Sequence, residues 1–334
     1  MKPPETLDDI VSAGLCLGCG LCAALADPVA MTTTTAGLLR PRVDASLSEG
    51  TMDRMRVTCP GVRVDGSEPP LAMEAMLDRV WGPIVSLRRA AACDGGGLAE
   101  ALARHLLDSG QVESLLMDDA AEKGPRPGIL TGLRQRLEEG RFLAVFGRPC
   151  DIAGLRNLAH LDNRVERLAV LTVSHFCNGL TASGAPAVKD SGAALQFRCR
   201  ICPDSSGEQA DIVVGLAGDG RIPQGDLDDD SAPELGLPLI GRSLRGEAVI
   251  RVAESAGVIA TAPLSVRELA RCKSELQDRK QDLWAKLAAL MLSRRRRPRY
   301  RSLRIWTAGR PTSWARKWRV FRAFRKELKQ ADPL

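Results

Sequence analysis

RFLAVFG (141–147), followed at once by RPCDIAGLRNLAHL (148–161), decides the fold class. Phe142 to Phe146 is an unbroken apolar run, short enough for a strand buried on both faces. DIAGLRNLAHL (151–161) then repeats its apolar residues at helical spacing. The same alternation extends on both sides. WGPIVSLRRAA (81–91) reads as a strand, LAEALARHLLDSG (98–110) as a helix stopped by Gly110, and QVESLLMDD (111–119) as a strand. LTGLRQRLEEG (130–140) is a helix ending at Gly140, and RLAVLTVSHF (167–176) is a further apolar strand. Strands alternating with helices predict a mixed α/β core containing parallel strand pairs. ADIVVG (210–215) and GEAVIRVAES (246–255) are expected as later strands, and 266–292 as a helix.

Outward from this core the chain changes character. Residues 1–65 are loop-rich, with one or two short strands expected in MTTTTAGLLRPRVD (31–44), and GVRVDGSEPP (61–70) marks a boundary. The expected division is a small N-terminal unit over 1–65, an α/β core over 66–265 and a helical, basic extension over 266–334. Aromatic residues make up only 4% of the 334, so the core must rest on Leu, Val, Ile and Ala. The net charge of +6 is uneven: residues 281–334 hold sixteen Lys and Arg against three acids. Basicity therefore belongs to the tail alone. The polar start MKPPETLDDI lacks the order of a secretory signal, and no apolar run reaches eighteen residues. The expected location is the cytoplasm, with the tail allowing a peripheral place at the inner membrane face.

In a reducing compartment, clustered cysteines point to metal or redox chemistry more than to disulfides. The ten fall into two sets and a remainder. Cys16, Cys19 and Cys22 stand two residues apart, with Cys59-Pro60 downstream. A tight loop at this spacing can offer three sulfurs to one iron–sulfur cube, with a remote cysteine as the fourth ligand. Structural zinc is the plainer alternative, although zinc ligands usually come in separated pairs. Cys150, Cys177 and the Cys199/Cys202 clip form a looser set. Cys150 and Cys177 each lie just past an expected strand, where binding residues gather in α/β folds. Four thiols could hold a second cube. A zinc site, or Cys150 as a lone reactive thiol, reads equally from the spacing. Cys93 and Cys272 are expected to be packing residues, although Cys93 could sit beside a cofactor. Asp94, Gly95, Gly96 and Gly97 lie between an expected strand and helix, and suit either a plain turn or a pyrophosphate site. His105, His160 and His175 make no metal pattern. Asp94, Asp151 and Asp211 are candidate proton donors only.

The motifs CLGCGLC, TCPG, CDGGGLAEAL, FGRPCDIAGLR, HFCNG and RCRICPDSSGEQADIVVG occur in this order over about residues 10–260. Together they resemble the coenzyme F420 hydrogenase/dehydrogenase beta subunit family. The resemblance implies FAD and 4Fe-4S clusters, two of them here. It assigns one to Cys16, Cys19, Cys22 and Cys59 and the other to Cys150, Cys177, Cys199 and Cys202, and it brings the 94–97 turn to the flavin. It implies an oxidoreductase that passes electrons between ferredoxin, a similar carrier or coenzyme F420 and a small organic substrate. The alternatives are a non-catalytic electron-transfer beta subunit of a larger complex, and a zinc-stabilised binding protein. Two departures weaken the case for F420 itself. Asp151 stands where Gln is common, and an acidic loop, LAGDGRIPQGDLDDD, replaces a Gly/Trp-rich run.

The tail carries RRRR at 294–297, and then Trp314, Trp318, Phe321, Phe324 and Leu328 at three- and four-residue spacing among Arg and Lys. A basic amphipathic helix of this kind suits an anionic membrane surface, docking on the protein's own core or an acidic electron carrier. Nucleic acid is the weakest reading, because no base-reading motif accompanies the charge.

Overall fold

The computed structural model describes residues 4–66, 76–91, 97–117, 128–187, 194–216, 236–293 and 295–330. Its centre is a seven-stranded mixed sheet. The strands run in the order Thr261–Pro263, Ser86–Ala90, Leu237–Gly241, Ile212–Val214, Ala169–His175, Leu143–Gly147 and Ser114–Met117. The last four are mutually parallel, whereas Leu237–Gly241 pairs antiparallel on both sides and Thr261–Pro263 closes the edge antiparallel. The expected α/β alternation is therefore present. Leu143, Ala144 and Val145 are fully buried, as an unbroken apolar strand requires.

Helices cover both faces of the sheet. Pro149–Ala159 and Leu133–Glu139 share one apolar cluster with Leu143, Val145 and Val213. Leu98–Asp108 and Leu244–Ser255 share another with Ala144, Phe146 and Ile212. The residues pointing to each face alternate along the strands, which is the two-residue period of β-structure. Trp81 and Phe176 meet edge to face at 6.4 Å in a core that is mostly aliphatic.

Two expectations about elements need correction. GEAVIRVAES (246–255) is not a strand but part of the helix Leu244–Ser255. Ser243 caps that helix by accepting from Gly246 N at 3.0 Å, and Val249, Ile250 and Ala253 face the core at helical spacing. The 266–292 helix is broken at Lys273 into Val266–Cys272 and Ser274–Leu292. The N-terminal region has its expected hairpin, Val29–Thr33 against Leu39–Val43, together with three helices, Leu7–Ser12, Leu21–Leu25 and Glu49–Thr58. Its apolar residues Leu7, Ile10 and Met55 lie in one cluster with Leu283, Leu290, Phe324 and Leu328. The first and last parts of the chain thus share a core. No distinct metal-binding subdomain is evident among the described residues.

Candidate functional site

The eight cysteines of the two sets gather into two neighbouring nests. In the first, the loop Cys16–Cys22 turns through Gly18 and Gly20, whose φ values are +68° and +84°. Gly20 has to be glycine: a Cβ there would lie 2.1 Å from Thr131 Oγ1 and 2.8 Å from Gly128 O. Leu130 N donates to Cys19 O at 3.1 Å and ties the loop to the sheet layer. Cys59 ends the helix Glu49–Thr58, and its N donates to Met55 O at 2.8 Å. Cys16, Cys19, Cys22 and Cys59 all line one cavity of ≈ 30 Å³, whose other walls are mostly apolar, among them Leu21 and Met55.

The second nest lies at the carboxyl ends of the parallel strands. Cys150 opens the helix that follows Gly147, and Cys177 follows His175. Cys199 is in the short helix Phe197–Arg200, with Cys202 just beyond. Leu180 N donates to Cys199 Sγ at 3.3 Å, and the Cys202 thiol donates to Asp204 O at 3.1 Å. Arg279 clamps this nest from outside, donating to Asn178 O at 2.8 Å and Cys199 O at 2.9 Å. His175 lines a small cavity of ≈ 50 Å³ there with Arg148, Cys177 and Asn178.

Buried side chains join the two nests. Leu17, from the first loop, packs with Cys150, Leu180 and Cys199. Arg198, only 1% exposed, donates to Pro60 O at 2.8 Å and lies 5.3 Å from the centre of the Tyr300 ring. It thereby holds the residue next to Cys59 against the clip that carries Cys199.

Burial controls the chemistry of these thiols. It pushes Cys22 up to about 12, with help from the charges of Cys16 and Cys59, and Cys59 up to about 11, with help from Cys16. Cys177 rises to about 12 through burial and then the charges of Cys199 and Cys202. Cys16, Cys19, Cys150 and Cys199 are also raised, each chiefly by burial. The cysteines of each nest are thus close enough to feel one another's charge.

This arrangement corrects the cofactor expectation. Among the described residues, no group of three or more His, Cys, Asp or Glu side chains could hold a metal ion. All eight expected ligands are described, and all eight are free cysteines. The residues therefore do not fit the two expected 4Fe-4S clusters, and the zinc alternative falls by the same finding. The FAD expectation gains no pocket. Asp94, Gly95 and Gly96 lie outside the described residues, as does Cys93. Gly97 N donates to Glu100 Oε2 at 3.0 Å at the start of its helix, and a Cβ on Gly97 would meet nothing within 4 Å. Cys272, expected to pack, does sit partly buried against the main core.

The two described candidate proton donors are held in place by neighbours. Asp151 is fully buried and accepts from Arg148 Nε at 2.8 Å, Arg148 Nη2 at 3.0 Å and Arg148 N at 3.0 Å. Asp211 accepts from Thr172 Oγ1 and Ser243 Oγ, each at 2.7 Å, and from Arg156 Nη2 at 3.1 Å. Burial works against its charge, yet Arg156 and these hydroxyls hold the carboxyl below its ordinary value. Both are better suited to bracing the structure than to moving protons.

Sequence reasoning missed a buried charge network beside the second nest. Glu208, with its side chain fully buried, pairs with both Lys280 and Arg304. Asp204 accepts from Ser206 N at 3.1 Å and Glu208 N at 2.8 Å, and burial followed by the charge of Glu208 raises its carboxyl. Arg242, also buried, donates to Ser206 O at 2.7 Å and Pro83 O at 2.8 Å. The available signal was in RCRICPDSSGEQAD itself. Within it, Asp204 and Glu208 stand four residues apart with only Ser, Ser and Gly between them.

No curated protein matches the chain. A chain of the F420-reducing [NiFe] hydrogenase complex from Methanosarcina barkeri is a structural neighbour at 16% identity and a TM-score of 0.49, over 67% of this chain and 98% of that one. Residues 184–267 match the family model for the C terminus of the coenzyme F420 hydrogenase/dehydrogenase beta subunit. That stretch holds the Cys199/Cys202 clip, the Asp204–Glu208 turn and Asp211. The resemblance drawn from the motifs is upheld there: through residues 184–267 the chain is a homologue of the coenzyme F420 hydrogenase/dehydrogenase beta subunits.

Proposed function

We propose that this chain is a non-catalytic electron-transfer beta subunit working inside a larger hydrogenase or dehydrogenase complex. The observation that carries this reading is the homology over 184–267 to the C-terminal part of such subunits. It fits better than a self-contained flavoprotein with its own substrate, because the matching family model describes a beta subunit of a hydrogenase or dehydrogenase. Within the subunit we assign the working region to the two nests: Cys16, Cys19, Cys22 and Cys59, and Cys150, Cys177, Cys199 and Cys202. They are adjacent, the second lies at the carboxyl ends of the parallel strands, and Arg198 and Arg279 fix the backbone around them.

The test is anaerobic purification of the tagged chain from its native host, followed by electron transfer to a viologen dye. Reduced ferredoxin serves as the donor in one arm and reduced coenzyme F420 in the other. Activity that requires a co-purifying oxidoreductase subunit, and that Cys199→Ala lowers at least tenfold, is the expected result. Turnover of an organic substrate by the lone chain would refute the proposal.

A further inference from the structure

The C-terminal helix Trp314–Gln330 resolves the apolar stripe seen in the sequence into two parts. Phe324 and Leu328 are buried against the N-terminal core. Arg316 pins the helix to Ser274–Leu292, with Nε 2.8 Å from Asp282 Oδ1 and Nη2 2.8 Å from Asp278 Oδ1. Trp314 and Trp318, by contrast, are 72% and 60% exposed. At three- and four-residue steps they continue along one ridge into Arg322, Arg325 and Lys329, which are exposed too.

The aromatic end of this ridge runs into a groove. Trp284 touches Trp314 edge-on at 6.4 Å and Trp306 at 5.1 Å, and Trp306 is 55% exposed. Trp284 and Trp306 in turn line a groove of ≈ 890 Å³ whose rim carries the exposed Arg297, Arg299 and Arg301. Residues 295–330 contain fourteen Lys and Arg against the single acid Glu327, which pairs with Arg200. One continuous surface therefore presents three exposed indoles flanked on both sides by cations.

We propose that this surface seats the protein on an anionic lipid bilayer, with Trp306, Trp314 and Trp318 at headgroup depth and the arginine groove and ridge against lipid phosphates. Indoles concentrate at the membrane interface because the ring is apolar and its N–H is polar, and nearby cations add attraction to anionic headgroups. No described helix is long and apolar enough to cross a membrane, so the contact is peripheral. Cations alone would serve nucleic acid equally well, but base stacking needs open ring faces. Lys317 lies 4.9 Å over Trp314, and Phe321 stacks on Trp318 at 5.3 Å.

Flotation of the full chain with vesicles tests the proposal. It should bind phosphatidylglycerol-rich vesicles, with a blue shift of Trp emission, and ignore pure phosphatidylcholine. Each cation removed should cost about fivefold in partitioning, so R322Q/R325Q/K329Q should lose roughly 100-fold. W314A/W318A should lose flotation while far-UV circular dichroism stays unchanged, because neither ring is in the core. Failure to float overturns the proposal, including the case where the chain instead binds a single-stranded oligonucleotide or an acidic carrier protein. So does flotation that both variants retain.

Discussion

Replacing Glu208 with Gln tests whether the buried network beside the second nest is a paired-charge device. The Glu208 side chain is fully buried, and those of Lys280 and Arg304 are 6% and 14% exposed. Gln keeps the shape and removes the charge, leaving two cations with little water to solvate them. Breaking a buried pair by neutralising one partner costs about 3–5 kcal/mol, because the orphaned charge keeps its desolvation penalty. For a chain of this length the unfolding entropy near the melting point is about 0.7 kcal/mol/K, so 4 kcal/mol lowers Tm by about 6 °C. Adding Lys280→Met to Glu208→Gln removes one orphaned cation and should recover at least about 1 kcal/mol of the loss. Urea denaturation followed by circular dichroism reads both numbers from the shift in midpoint. If Glu208→Gln costs less than about 1 kcal/mol, or if Lys280→Met makes it worse by its full single-variant cost, the network is not coupled and the reasoning fails.

Arg198→Met should destabilise by about 2 kcal/mol: it loses the charged hydrogen bond to Pro60 O and the contact with Tyr300, partly offset by relief from burying a cation. Because Arg198 favours negative charge on Cys59, the variant should also make Cys59 react more slowly with a thiol reagent, read by mass spectrometry, and an unchanged rate counts against the link between Arg198 and the first nest. Glu247 supplies a pH test. Burial opposes its charge, but hydrogen bonds from Arg88, Ser86 and Arg251 bring its carboxyl down to about 2. A depressed carboxylate stabilises the fold fully above its unfolded value and loses that contribution as pH falls through the folded one. Acid titration of Tm should therefore show a decline between about pH 4.5 and pH 2 that Glu247→Gln flattens, and identical slopes would count against it.

How far the sequence could be read depended on what kind of information each feature needed. The strand at Leu143–Gly147 and the helix after it were legible because burial on both faces leaves an unbroken apolar run. Residues 246–255 were misread because Val249, Ile250 and Val252 are β-branched, which favours strand locally. The Ser243 cap and the helical spacing of the buried residues outweighed that preference. The tail stripe was legible as a helix, but not its split. Whether Trp314 or Phe324 meets the core depends on where Ser274–Leu292 lies, and that is tertiary information.

The cysteines show the same limit at finer grain. Cys16, Cys19, Cys22 and Cys59 line one cavity, and the two-residue intervals with glycine turns account for the first three of them. Holding a metal needs more: sulfurs aimed at a common point and the thiolate form, neither of which spacing encodes. What the structure adds is a set of cations that work against burial. Arg40 and Arg148 act on Cys16, Arg198 on Cys59 and Cys199, and Arg279 on Cys177 and Cys199, each favouring negative charge on sulfur although burial outweighs them. Asp151 works the other way, its charge raising Cys19 and Cys150 further, so the balance differs from one thiol to the next. Arg198 and Arg279 spend their hydrogen bonds on the carbonyls of Pro60, Asn178 and Cys199, so both guanidinium groups are fixed in place while the sulfurs are left unclaimed by them. The frame around the thiols is therefore set by backbone carbonyls, and it does not depend on the protonation state of any sulfur.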